Sequence, residues 1–445
     1  MKCNNKVTII VASILMVWLL ITRYVMNKLT PTNAHKIVQL QKTIKSQQII
    51  KDKNNHFVNN DGNDHLSSSM NLKATSPQTS SPPNFPNCKI MLNCSYDIHI
   101  FYYGWYGNPT YDNRWLHWNH PRLAHWNKRT AKRFSQERHV PENNDVGSIY
   151  YPSLGFYSSH NPSVVEDHMK QIQRAGAGVL VVSWYPPNQH DNEGRASDEL
   201  IPLLLNKAAQ YGLKITFHIE PYKKRSPESV KEDLKYIINT YGEHPAFYRE
   251  EKSRLPMMYI YDSYLIRPNA WSKILKKTSK NTIRGTKYDC IMIGLLVESI
   301  HQTHIKKGHW DGFYTYFAVN GMTHGSSFHN FHSMRNFADQ NHLIYIPSVG
   351  PGYEDVPVRP WNRQNTRERR NGDYYKEALG NAKRNTKRFI SITSFNEWHE
   401  GTNIERAIPN EKRKDSGEKY KDYGVNGEYY YIDLTKDILS PLIHD

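Results

Sequence analysis

Between residues 96 and 400 the chain repeats one texture: a short run of β-branched and aromatic residues, a polar loop, then a stretch with helical periodicity. The apolar runs are IHIFYYGWY ending at Tyr106, GVLVVSWY at Tyr185, KITFHIEP at Pro221 and PMMYIYDSY at Tyr264. They continue with DCIMIGLLV ending at Val297, GFYTYFA at Ala318, LIYIPSVGPG at Gly352 and FISITSFNE at Glu397. Helical stretches fall at 163–175, 198–211, 227–241, 268–277, 328–341 and 373–387, with a weaker one at 300–307. Strands that alternate with helices must be crossed over, so the sheet is expected to be parallel, and about eight such units fit a (β/α)8 TIM barrel. A doubly wound open sheet is the alternative. No glycine fingerprint for a nucleotide follows the first run, which counts against it.

The segment before this pattern has a different character. Residues 7–26 begin with the uncharged run VTIIVASILMVWLLI, with Lys2 and Lys6 ahead of it and Arg23 and Lys28 behind. Extended through Met26, with Arg23 snorkelling, it reaches spanning length, and no small-residue cleavage site follows. An uncleaved signal anchor is therefore expected, with residues 1–6 as a short tail. Residues 27–95 are rich in Asn, Lys, Gln, Ser and Pro and read as a disordered stem, leaving 96–445 as the barrel domain. Asn93-Cys94-Ser95 is a glycosylation sequon. Cys88 and Cys94 are close enough to bridge in an oxidising compartment, although two free thiols fit the sequence equally well.

Composition excludes more than it assigns. The net charge of +16 permits contact with nucleic acid, but the cations are scattered and no binding fingerprint is present, so no nucleic-acid partner is expected. The 30 Tyr and 10 Trp are the stronger excess, offering flat faces either to a sugar ring or to the core. In a parallel barrel the working groups stand at the C-terminal ends of the strands. Here those ends carry WYGNPTYDNRWLHWNHP, HIEPY, VGPGYEDVPVRPWN and, on the last strand, Asn396-Glu397-Trp398-His399-Glu400-Gly401. Two carboxylates three residues apart could divide acid and base roles if their surroundings split their pKa values. A zinc site is disfavoured because His399-Glu400 lacks the second His of a metalloprotease helix, so neither metal nor organic cofactor is expected.

From about residue 97 to 433 these segments resemble glycoside hydrolase family 99, the endo-α-1,2-mannosidases. The motifs FYYGWYGNP, HWNHP, YYPSLGFYSS, VSWYPP, FHIEPY, YTYFAVNG, IPSVGPGY, RPWNRQNTR and NEWHEGTNIE carry the likeness, in chain order. The resemblance implies a single-pass type II protein of the Golgi membrane whose lumenal barrel removes glucosylated mannose from high-mannose N-glycans. It implies Glu397 and Glu400 as the catalytic pair, Tyr106, His117, Glu220, Tyr316, Arg359 and Asn396 as substrate-site residues, and Trp184 as a platform beneath the distal sugar. Phe395 stands where the resemblance leads one to expect Trp, which could reshape a subsite, and Asn113 where it leads one to expect Gly.

The chemistry implied is retention through a 1,2-anhydro sugar: Glu397 as base on the 2-hydroxyl, Glu400 as acid on the leaving oxygen. The 2-oxygen of an α-mannoside lies trans to that oxygen. As an internal nucleophile it can offset ring strain through an effective molarity of about 10⁵ M. Two rivals stand beside this reading. A Golgi glycosyltransferase would share the anchor and stem but lacks an Asp-x-Asp between Tyr96 and Asp445, and a silent glycan-binding barrel would have no need of the carboxylate pair.

Overall fold

The computed structural model describes residues 94–409 and 420–442. The expected tail, anchor and nearly all of the stem lie outside the described residues. Among the described residues no helix is long and apolar enough to cross a membrane.

Among the described residues nine parallel strands follow the chain: β1 (Ser95–Tyr102), β2 (Ala177–Trp184), β3 (Lys214–Ile219), β4 (Met257–Ile260), β5 (Ile291–Leu295), β6 (Gly312–Tyr314), β7 (Ile344–Ile346), β8 (Ser348–Val349) and β9 (Ile390–Ile392). Their order in the sheet is β7-β6-β5-β4-β3-β2-β1-β9-β8. The two ends of this order are halves of one stave. Only Pro347, which has no N–H to give a ladder, separates β7 from β8, and its carbonyl accepts from Ser391 N–H at 3.1 Å. β7 pairs with β6 and β8 with β9, so the seventh expected strand bridges both neighbours and the ring closes around eight staves. The pairing of β1 with both β2 and β9 excludes the doubly wound alternative, in which the first and last strands do not meet in this way.

The helices interleave as expected: α1 (Pro162–Arg174), α2 (Ile201–Gln210), α3 (Pro227–Tyr241), α4 (Pro268–Leu275), α5 (His301–Gly308), α6 (Phe328–Gln340) and α7 (Asp373–Asn385). Their starts are written locally. Asn161 caps α1 ahead of Pro162, and Ser226 and Ser229 form a reciprocal capping box around Pro227 at the start of α3. The sequence reading omits α8 (Tyr430–Leu439), which follows β9 and completes the eighth unit by burying Tyr431, Ile432, Leu434 and Leu439.

Alternation along β1 sorts its side chains between two cores. Ile98, Ile100 and Tyr102 face the helices, where the Tyr102 hydroxyl meets His168 Nδ1 of α1 at 3.0 Å. His99, Phe101 and Tyr103 fill the lumen. There His99 Nδ1 meets the Tyr259 hydroxyl at 2.7 Å, and Phe101 packs on His218, Tyr259, Tyr314 and Tyr316. Tyrosine hydroxyls here find imidazole partners across the barrel, Tyr259 at His99 and Tyr314 at His218.

Candidate active site

The C-terminal end of β9 runs directly into the loop that carries both carboxylates. Three neighbours hold that loop. The Tyr106 hydroxyl donates to Asn396 O at 3.0 Å and accepts from Trp398 N–H at 3.0 Å. Glu397 N–H donates to Ser394 Oγ at 2.8 Å, and Glu354 N–H donates to the Glu400 carbonyl at 2.8 Å. Gly401 ends the turn at φ +60, and a Cβ there would stand 2.9 Å from the Glu354 carbonyl oxygen, so the position needs glycine on two counts.

The Glu397 carboxylate is buried and accepts from His399 N–H at 2.9 Å. Burial, and then the nearby Glu400 charge, push its pKa well above the ordinary carboxylate range. The Glu400 pKa is also raised by burial, but Arg359 opposes the shift, with Nη1 3.4 Å from Glu400 Oε1. Arg359 is itself braced by buried Asp355, 3.0 Å away, which also accepts from Asn362 Nδ2 and from the Tyr353 hydroxyl. The pair therefore holds two carboxyls that resist ionising together, with a guanidinium favouring charge on Glu400.

Three imidazoles pack together, and one of them, His399, lies beside Glu397. The His399 ring lies 5.5 Å from that of His117 and 4.8 Å from that of His120. Burial, then the other two imidazoles, hold His399 well below its usual pKa, and burial above all brings His120 down to about 4. Neutral His399 donates from Nε2 to the His117 carbonyl at 3.0 Å, which leaves the Nδ1 lone pair turned toward Glu397 Oε1 at 3.6 Å. That contact also disfavours a charged Glu397.

Across the lumen, Glu220 at the end of β3 accepts from Ser183 Oγ at 2.8 Å and lies 3.3 Å from His218 Nδ1. Tyr316, at φ +57, hydrogen-bonds through its hydroxyl to the Tyr103 hydroxyl. Burial above all raises the Tyr103 phenol's pKa, and the charges of Glu397 and Glu220 add to the shift. His117, also at positive φ, is held by Asp191 Oδ2 at 2.9 Å and stacks flat on Trp105 at 4.5 Å.

Six of the expected residues thus gather at one end of the barrel: Glu397, Glu400, Glu220, Arg359, His117 and Tyr316. Tyr106 and Asn396 lie beneath them as fully buried braces of the loop that carries the two carboxyls. Trp184 faces the other way. In β2 Ser183 points into the lumen, so Trp184 points out, where its Nε1 donates to Asp198 Oδ1 at 2.8 Å and its ring meets Phe217 and Tyr236. It cannot lie beneath a sugar in this site. Phe395 likewise cannot shape a subsite directly, being buried against Tyr102 and His168 on the helix side. Asn113 is in the left-handed conformation at a helix C-cap, φ +56, which explains why glycine would suit that position and why asparagine serves there. The sequence reading missed Trp105, His120, His399 and Asp355 as parts of the site. All four stand inside quoted segments, and only the fold shows which way they point.

The family model for glycosyl hydrolase family 99 matches residues 93–442. The chain belongs to that family. The family 99 barrel is 50% identical over 345 residues to the rat glycoprotein endo-α-1,2-mannosidase, covering 77% of this chain and 74% of the rat protein. A human glycoprotein endo-α-1,2-mannosidase-like protein is 48% identical over 343 residues, 76% of this chain and 74% of the human one. Among solved structures, the family 99 endo-α-mannosidase from Bacteroides thetaiotaomicron aligns with a TM-score of 0.73 at 39% identity, over 79% of this chain and 99% of that one. Membership makes this chain a glycoside hydrolase and sets aside the transferase and binding-only readings.

Proposed function

We propose that the chain is a retaining endo-α-1,2-mannosidase that releases glucosylated mannose from high-mannose N-glycans. The observation that carries this is the adjacency of Glu397 and Glu400 at the barrel mouth, two carboxyls held in different fields by one Arg359. In the first displacement Glu397 takes the 2-hydroxyl proton, the 2-oxygen bonds to the anomeric carbon, and the glycosidic bond breaks as Glu400 protonates the leaving oxygen. In the second, Glu400 takes a proton from water, the water oxygen bonds to the anomeric carbon, that carbon's bond to the 2-oxygen opens, and Glu397 returns the proton. Net hydrolysis leaves configuration retained, with the substrate's own oxygen in place of an enzyme nucleophile.

In the free site Arg359 favours the shared proton on Glu397, whereas the first displacement starts with it on Glu400. A bound sugar resolves this. Its 2-hydroxyl donating to Glu397 and its glycosidic oxygen accepting from Glu400 both favour the reactive arrangement, so substrate binding moves one proton across the pair.

The site of action follows from the sequence before the barrel. Residues 7–26 anchor the chain in the Golgi membrane with the barrel in the lumen, where it meets N-glycans on glycoproteins. Two observations support this. Cys94 is disulfide-bonded, as expected of an oxidising compartment, and several relatives are named as glycoprotein-directed enzymes. Profiling the products after incubating the detergent-solubilised chain with glucosylated and unglucosylated high-mannose oligosaccharides tests the activity. Release of a glucosylated mannose fragment is expected, and failure to cut either glycan would refute the proposal.

A further inference from the structure

Two loops bracket the catalytic pair, and both run outward to the same exposed aromatic group. One leaves the site at His117 and His120, whose rings pack on His399, and continues through Leu123 to His125 and Trp126. The other carries Arg359 and, two residues later, Trp361. They are bonded to each other where they emerge: Leu123 N–H donates to Val358 O at 2.7 Å, and Trp361 Nε1 donates to Leu123 O at 3.0 Å. At their tips the Trp126 ring stacks on His125 at 3.8 Å and meets Trp361 edge-on at 5.1 Å. Trp126 is nevertheless 79% exposed.

A tryptophan that open to water gains little by burial, yet here it is fixed by stacking on one side and by an edge contact on the other. The fold therefore presents a flat, oriented apolar face, and it does so on the loops that hold Arg359 and Glu400 in register. Two residues of chain span at most about 7 Å, so the face continues the active site rather than forming a separate patch. Through Arg359 it connects to the Glu400 carboxyl, which in the proposed mechanism protonates the departing oxygen.

We propose that Trp126, His125 and Trp361 form a stacking platform for the sugars on the leaving side of the scissile bond. The occupant is the remaining oligomannose branch of the glycan, whose pyranose rings offer C–H faces to an aromatic plane. This inference rests on the functional reading above, because only an endo-acting enzyme has an extended leaving group to hold. The competing occupant is an anionic lipid surface, drawn by the exposed Lys128, Arg129, Lys132 and Arg133 beside the platform. The rigid, edge-braced ring favours the sugar, since membrane insertion calls for a larger apolar wedge than Trp126 and Leu123 supply.

The test compares two substrates with the full chain in detergent. One is a glucosyl-mannoside with a small leaving group, and the other the full glucosylated high-mannose oligosaccharide. In Trp126→Ala the ratio of kcat/KM for the full glycan to that for the small substrate should fall about tenfold, through KM, and Trp126→Phe should restore most of it. An unchanged ratio, or an equal loss on both substrates, overturns the platform. So does an intact ratio accompanied by weaker binding to vesicles of anionic phospholipid. A wild-type chain that cleaves neither substrate refutes the functional reading instead, and the two failures are thereby separated.

Discussion

Asn396 clasps a single residue of the first strand's end, accepting from Tyr103 N–H through Oδ1 at 2.8 Å and donating from Nδ2 to Tyr103 O at 2.8 Å. Both partners are buried, and the clasp joins the start of the chain's barrel to its end one residue before Glu397. In the proposed mechanism the clasp positions the base, Glu397, from a side chain that is itself fully buried. Asn396→Ala leaves an N–H and a carbonyl unpaired in the interior, and should destabilise the fold by about 2–4 kcal/mol. The variant should lose kcat more than it raises KM, since the misplaced group is the base rather than a sugar contact. Denaturant titration and steady-state kinetics on one preparation check both. A variant with wild-type stability would show that water or a shifted backbone replaces the clasp.

Tyr106 supports the same loop from the other side. Its hydroxyl joins Asn396 O to Trp398 N–H, and Tyr106→Phe removes that bridge while keeping the ring that stacks on Trp118 at 4.3 Å. A loss of about 1–3 kcal/mol in stability is expected for the two backbone groups left bare. Thermal unfolding of the variant checks it.

The fold was legible because period-2 runs alternating with helical stretches leave few topologies open. The limit was set by residues that break a local rule. Pro347 divides one strand into two and so decides how the ring closes, and no propensity announces that the halves serve different neighbours. α8 is not legible locally, because YYIDLTKDIL carries strand-like tyrosines and isoleucines, and packing on the barrel decides its state. For the site, the carboxylate pair and Arg359 could be read from motifs. Trp184 could not, because a motif names a residue but a one-residue alternation along β2 decides which face it occupies. Ser183 has the lumen there, and Trp184 is left to the helices.

The two carboxyls should be separable by substrate chemistry. Glu400→Gln removes the proton donor to the leaving oxygen, so an aryl mannoside with an acidic phenol, which scarcely needs that proton, should recover much of the lost rate of the first displacement. Glu397→Gln removes the base on the 2-hydroxyl, and a better leaving group should not restore it. A 2-deoxy or 2-fluoro substrate should fail even with the wild-type chain. Mass spectrometry showing a 2-fluoromannosyl ester on Glu397 would make that residue a direct nucleophile and end the internal route.

Arg359 sets where the activity profile lies on the pH axis. Its charge lowers the pKa of both Glu397 and Glu400, so Arg359→Met should raise both. The limb at which Glu397 must ionise and the limb at which Glu400 must stay protonated then move together to higher pH. The maximum rate should fall roughly tenfold or more, because the charge that distinguishes the two carboxyls is gone. Asp355 keeps Asn362 and Tyr353 as partners, so the variant should still fold. A profile that falls in height without moving would show that Arg359 only orients Glu400.

Glu397 should also be a site where activity is held at the expense of stability. Burial and the Glu400 charge raise its folded-state pKa, so between its unfolded value near 4.5 and its folded value the native chain binds more protons than the unfolded one. Stability contributed by this group is therefore present below about pH 4.5 and is lost as pH rises through that window, the reverse of a salt-bridged carboxylate. Glu397→Gln keeps an oxygen for His399 N–H and cannot ionise, so it escapes the loss. Near neutral pH the variant should be catalytically dead yet unfold about 2 °C or more above the wild type. The gap should close as pH falls toward 4.5, where the wild-type carboxyl is already protonated in both states. Thermal unfolding of the two proteins across pH 4.5–7.5 measures it, and a gap that widens on acidification would mean that Glu397 is ionised and stabilised in the native chain, contrary to its surroundings.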